Sequence, residues 1–318
     1  MDQSQRLYYP PGKARTWHHP SVRGLQETHG VLLPPEEIIR RRAAELVAYG
    51  RQFSWGGPPY DPRVLASILG IRVRKQNLAA GTDGVLRVDH RGQLEILINR
   101  RLWKTRENFT ICHEIAHTLF PDCFEIVRLR QRQDRVEPYH WELESLCNLA
   151  AAELLMPMDC FARDVVYYGY SLETAAALQR QYGASFEAVV RRLIATELEI
   201  CCAVFLRYMA KPSEEKPGPG RSNNHSQKKL RVAYAVPSMD FHYFMPRFKS
   251  APSHSCVNRC VRRKEVFCAT EDWKLRAAPP FRIEARACEA SNGAGHNHHK
   301  VAALFFPQTS SLQKTPGK

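Results

Sequence analysis

No apolar run in this 318-residue chain reaches the eighteen or so residues that a helix needs to cross a bilayer. The amino terminus, MDQSQRLYYPPGKARTWHHP, lacks the apolar stretch of a secretory signal. The expectation is a cytoplasmic protein with no membrane partner. Ten cysteines spread over 318 residues do not make the dense framework of a disulfide-stapled domain. Cys112 and Cys147 read as small buried hydrophobes, and Cys201-Cys202 lies in a strand-like run. Cys256, Cys260 and Cys268, with His254, fit no zinc-finger spacing. Acidic residues are in short supply, 32 against 46 Lys and Arg, for a net charge of +14. The excess is uneven: +11 falls in residues 209–318 and +3 in residues 1–208. The basic residues of the tail half are scattered and form no stripe. They read as a solvated surface, with nucleic acid as the less favoured partner.

What is present is more specific. His113-Glu114-Ile115-Ala116-His117 lies in a run, Glu107 to Phe120, whose Phe109, Ile111, Cys112, Ile115 and Ala116 pattern predicts a helix. Residues four apart lie one above the other on a helix, so both imidazoles can reach one metal ion. Glu114 projects to the side, where it can touch a water on that metal without ligating. This is the H-E-x-x-H arrangement of zinc peptidases. The bland alternative is a helix with two ordinary histidines.

A catalytic zinc takes three protein ligands and keeps one position open. Trp141 to Met156, stopped by Pro157, reads as a second helix and carries Glu142, Glu144 and Glu153. At about 100° per residue, Glu142 and Glu153 share one face and Glu144 points nearly the opposite way. Cys147, Asn148, Ala151 and Leu155 flank Glu144, so that face is expected to pack inward. A buried carboxylate needs a partner, and a metal is one way to satisfy it. Glu144 is therefore the candidate third ligand, with a salt bridge to an arginine as the alternative. Glu142 and Glu153 are expected on solvent or in structural hydrogen bonds.

The run Arg106 to His117, and the second run Glu144-Ser145-Leu146-Cys147-Asn148-Leu149-Ala150-Ala151-Ala152-Glu153-Leu154-Leu155-Met156-Pro157, together resemble the two characteristic blocks of the ImmA/IrrE metallopeptidases. The chain departs from that pattern at Ala150, where an aromatic is usual, and at Cys147, where alanine is common. Neither change removes a ligand. The resemblance covers roughly residues 35 to 198. It implies an α+β fold, with a zincin-like helical peptidase domain and a small antiparallel sheet, and one Zn²⁺ per chain. By that resemblance His113, His117 and Glu144 are the ligands and Glu114 the catalytic glutamate. It also implies a protein substrate, a helix-turn-helix repressor whose cleavage derepresses stress or mobile-element genes. The competing reading is a non-catalytic, antitoxin-like regulator that binds DNA or a partner protein and keeps a structural metal. The intact Glu114 favours the enzyme, since a structural site has no need of it and is usually closed by four ligands. Asn148, one turn from Glu144, is a candidate to orient a ligand, and His140 and Tyr139 are candidate oxyanion donors, as are Tyr167 and Tyr168.

Along the chain, residues 1–33 read as a flexible arm and 34–198 as the peptidase domain. Helices are expected from Pro34 to Gly50 and from Asp61 to Gly70. Three strands follow, Ile71–Lys75, Gly84–Val88 and Leu94–Asn99, with an edge that can receive an extended peptide. Pro121–Pro138 reads as an arginine-bearing loop. Ser171–Tyr182 and Ser185–Thr196 read as paired helices; the layout invites a helix-turn-helix, and the resemblance implies a structural pair. Residues 199–306 are expected to form a β-rich accessory domain, with strands at Ile200–Tyr208, Leu230–Val236, Glu265–Ala269, Phe281–Ala287 and Lys300–Phe306. A linker-like insertion occupies 211–229, and 307–318 reads as a disordered tail.

Overall fold

The structure is a computed structural model that describes residues 16–131, 139–211, 228–288 and 301–308. Most of the proposed linker and most of the expected tail lie outside those residues. The chain divides into two compact units. One is Met1–Asp164 with Ala177–Ala188; the other is Val165–Ala176 with Val189–Lys318.

In the first unit, the helix expected after Pro34 is α2 (Pro35–Gln52), with Glu36 and Glu37 in its first turn, where they oppose the helix dipole. Asp61 caps α3 (Pro62–Ile68) through Arg63 N. The second half of the expected arm is not loose. Pro20–His29 forms α1, which buries Val22 and Leu25 and is capped by His19 Nδ1 accepting from Ser21 N. Proline and histidine hid this helix. Its start is set by Glu142, over a hundred residues away, whose Oε2 accepts from His18 N and His19 N at 2.8 and 2.9 Å.

The three predicted strands are β1 (Arg72–Gln76), β2 (Gly84–Val88) and β3 (Leu94–Asn99). They form a mixed sheet, in contrast to the antiparallel one expected. The order is β1-β3-β2, with β1 parallel to the central β3 and β2 antiparallel to it. Ile96, Leu97 and Ile98 of β3 are buried. Hairpin turn chemistry joins β2 to β3, whereas β1 reaches β3 through a crossover that no turn signal announces. α4 (Lys104–Ala116) packs on β2 and β3. Glu107 of α4 ties three elements together: Arg63 of α3 binds its Oε1 at 2.8 Å and Lys75 of β1 its Oε2 at 2.6 Å. The expected loop after Pro121 is instead helical in its first half, α5 (Cys123–Gln131), with Cys123, Ile126 and Val127 buried. α6 (His140–Leu155) packs against both α2 and α4, and α7 spans Met158–Tyr168.

The predicted helix pair is α8 (Leu172–Tyr182) and α9 (Phe186–Ile194). Gly183 turns between them at a φ of +62°, where a side chain would also crowd Asn108 Nδ2 at 3.0 Å.

Among the described residues, the second unit is built on five antiparallel strands. They are β4 (Cys202–Met209), β5 (Lys229–Pro237), β6 (Phe267–Glu271), β7 (Phe281–Ala287) and β8 (Val301–Pro307), in the order β5-β4-β8-β7-β6. Every residue of β8 from Val301 to Phe306 is buried. α10 (Cys256–Arg263), which no sequence signal marked, lays Cys256, Val257 and Cys260 on the sheet core of Ile283, Phe281 and Phe305. Its start is held by Ser255, capping Val257 N, and by Glu271, which accepts from Ser255 Oγ at 2.6 Å. Cys256 and Cys260 are thus packing residues while Cys268 is exposed, and among the described residues they form no metal-ligating group. No helix of the described residues is long and apolar enough to cross a membrane.

Candidate metal centre

α4 is polar at His113 and Glu114 where it passes β2 and α6, and its apolar residues Ile111, Cys112, Ile115 and Ala116 are fully buried. The helix ends at Ala116, and His117 opens a single 3₁₀ turn, His117–Leu119. The four-residue spacing survives this change. The two imidazoles sit edge to face with centroids 5.1 Å apart.

α6 crosses α4 with Glu144 facing them. His113 Nε2 lies 3.1 Å from Glu144 Oε2, and His117 Nε2 lies 3.6 Å from Glu144 Oε1. Their ligand atoms all fall within 4.8 Å of one another. Tetrahedral ligands on bonds of 2.0–2.2 Å would stand about 3.4 Å apart, so the separations suit a single ion of zinc's size. Glu144 is less buried than its helical face suggested, with 26% of its side chain exposed. Glu142 and Glu153 are both buried, at 1% and 7% exposure, and serve structure: Glu142 starts α1, and Glu153 accepts from Met158 N at 2.8 Å.

Both imidazoles are held from behind. His113 Nδ1 lies 3.0 Å from Asn148 Oδ1, and His117 Nδ1 lies 3.3 Å from Cys147 Sγ. A ring whose Nδ1 is engaged presents Nε2 as its ligating atom, and such partners set orientation and basicity. The sequence reading found Asn148 but took Cys147 for packing alone. The available signal was spacing: 147 and 148 follow Glu144 by three and four residues, so they share its face.

Glu114 is buried, and its Oε2 accepts from Leu86 N on β2 at 2.8 Å. No sequence signal marked Leu86, because the contact is made by backbone across 28 residues. Gly84 makes that approach feasible: a Cβ there would stand 2.5 Å from Thr110 Cγ2 and 3.3 Å from Glu114 Oε1. Gly84 opens β2, as expected.

His140 Nε2 lies 3.1 Å from Glu144 Oε1. Tyr139 is turned outward, 46% exposed, and stacks on His18 at 4.6 Å. Tyr167 and Tyr168 are exposed, belong to the second unit, and pack on each other at 4.8 Å. Burial opposes the charge on Glu144, yet hydrogen bonds from His113 and His140 hold its carboxyl far below the usual range. Burial likewise pushes His113 down, and the Glu144 carboxylate overrides it and raises the imidazole. Three cationic or dipolar groups around one carboxylate make a site already arranged for positive charge.

His113, His117 and Glu144 could thus hold one metal ion, with Glu114 beside them. Comparison with known proteins agrees. Residues 66–194 match the Peptidase_M78 family, the IrrE N-terminal-like domain. This segment, less than half of the chain, carries the similarity to the ImmA/IrrE family. The chain is 32% identical over 156 residues to the radiation response metalloprotease IrrE of Deinococcus deserti, covering 48% of this chain and 53% of that protein. Against the protein of the same name from Deinococcus radiodurans the identity is 27% over 133 residues, covering 41% and 38%. The chain thus spans about half or less of these relatives' length. Its fold is similar to that of a Mycobacterium tuberculosis transcriptional regulator, at a TM-score of 0.54 and 14% identity, over 90% of this chain and 79% of that one.

Proposed function

We propose that the chain is a metal-dependent endopeptidase, with zinc as its metal, one ion per chain, held by His113, His117 and Glu144. The observation that carries this reading is the convergence of two Nε2 atoms and one carboxylate beside a glutamate pinned by backbone. The name metalloprotease carried by the related proteins supports it. When bound, such an ion supplies Lewis acidity toward a carbonyl oxygen and makes water more acidic.

The chain's own residues supply the rest. Leu86 N fixes Oε2 of Glu114, so the carboxylate keeps one orientation while Oε1 accepts a proton from the attacking water. Glu114 then delivers that proton to the departing amine. His140, held at Glu144 Oε1 and 39% exposed, positions that ligand and is our candidate donor for a developing oxyanion. β2 is an edge of the sheet and runs beside Glu114, which suits it to align an extended peptide. The substrate we assign is a helix-turn-helix repressor, and the setting a cytoplasmic stress or mobile-element response. We read 34–198 as the peptidase domain and 199–306 as an accessory domain.

The test is Glu114→Gln in the full chain, incubated with the product of a neighbouring repressor gene, with and without chelator. Cleavage should fall at least ~100-fold while metal content is unchanged. Unchanged proteolysis in the variant rejects the assignment.

A further inference from the structure

The second unit carries a recess that the peptidase reading does not use. It has a volume of about 390 Å³ and is lined by His254, Arg259, Arg262 and Arg263. That size falls in the range of about 300–1,000 Å³ typical of small-molecule sites. The three arginines follow the i, i+3, i+4 rule and are exposed on α10, beside the buried Cys256, Val257 and Cys260. Like charges at those spacings weaken a helix. Among the described residues, no carboxylate forms an ion pair with any of the three arginines, and none lines the recess. Arg259 is steadied by the face of Phe267, its guanidinium 5.6 Å from the ring centroid. Glu271, the carboxylate closest to this helix in function, is spent at the buried start of α10 on Ser255 Oγ and Cys256 N. A solvated helix face accounts for arginines in a last turn, where they favour the dipole. It does not account for a concave wall made of three arginines and a histidine.

We propose that this recess binds a small ligand carrying a diphosphate group. Guanidinium forks match phosphate oxygens in pairs, which lysines at the same places would not do. One phosphate group brings about −1.5 to −2 at neutral pH and leaves the three arginines partly uncompensated; two adjacent groups balance them. Arg259 to Arg263 spans about 6 Å of helix axis, short enough for one diphosphate. A surface that tracks a nucleic-acid backbone needs cations spread along a strand.

The experiment is calorimetric titration of the full chain, without added metal, with inorganic pyrophosphate, orthophosphate and a single-stranded DNA oligonucleotide in physiological salt. Saturable binding of pyrophosphate is expected, with orthophosphate at least tenfold weaker. Arg262→Gln and Arg263→Gln should each weaken pyrophosphate by roughly tenfold. Lys264→Glu, next in the chain but not in the wall, should change it less than twofold. Thermal melts check that each variant is folded, and Arg262→Lys, which keeps the charge, should still lose affinity because it loses the fork. Failure of pyrophosphate to bind saturably overturns the proposal. So does an equal loss with Lys264→Glu, which would mean diffuse charge attraction. Preferential binding of the oligonucleotide, lost in the same variants, would make the face a nucleic-acid surface instead.

Discussion

Asn148 Oδ1 stands 3.0 Å from His113 Nδ1, so the helix that contributes the carboxylate also aims an imidazole of the other helix. Cys147 does the same for His117 at 3.3 Å. One turn of α6 thereby reaches all three candidate ligands at once.

Asn148→Ala should lower metal affinity by about 10–100-fold, the usual effect of losing a partner behind a ligating histidine. Competition with a chromogenic chelator measures this directly. Cys147→Ser, which keeps a hydrogen-bonding group near His117, should do less harm than Cys147→Val. Equal affinity in all three variants would show that the rings are oriented by packing alone.

Metal should stabilise the first unit. With free metal at 100 times its Kd, the gain is about 2.7 kcal/mol. Differential scanning calorimetry before and after chelation should show it as a rise in Tm. The rise should vanish in Glu144→Ala, because two imidazoles alone hold the ion weakly.

Gly84→Ala should separate β2 from α4. The added Cβ would meet Thr110 Cγ2 at 2.5 Å, and overpacking of this kind costs about 1–3 kcal/mol. The hydrogen bond from Leu86 N to Glu114 lies two residues on and should loosen with it. Peptidase activity should therefore fall by more than metal affinity does. Gly92, with a φ of +78° and nothing within 4 Å of an added Cβ, should give alanine a stability loss but no such selective effect on activity.

The Glu107 cluster predicts an acid-sensitive term in stability. Burial pushes the Glu107 carboxyl up, and the hydrogen bonds from Lys75 and Arg63 override it and hold it below the usual range. A depressed folded value means the contribution is fully present above the ordinary glutamate value of about 4.3, and is lost as pH falls through the folded value. Glu107→Gln should destabilise by about 1–2 kcal/mol at neutral pH, discounted because Arg63 and Lys75 are partly exposed. Denaturant melts should show the gap closing below about pH 4. A gap that stays constant with pH would mean that the substitution costs shape and not charge.

The candidate site was legible because it rests on local helical periodicity. The spacing of His113 and His117 and the phase of Glu144 against Glu142 and Glu153 follow from about 100° per residue, whatever surrounds the helices. Asn148 could be read for the same reason. The strand positions could also be read, since Leu94–Asn99 is a largely apolar run bounded by turn residues and Phe281–Ala287 alternates apolar with charged residues.

What the sequence by itself determined was thus which residues share a helical face and which runs are strands. Tertiary structure alone decided the parallel pairing of β1 with β3, the backbone hydrogen bond from Leu86 to Glu114, and the existence of α1 and α10. Those two helices are short, and each begins on a carboxylate from a separate element, Glu142 for α1 and Glu271 for α10. The physical reason is the same throughout. A short helix in water does not repay its nucleation, and a strand does not choose its neighbour, until distant groups supply the missing hydrogen bonds and burial.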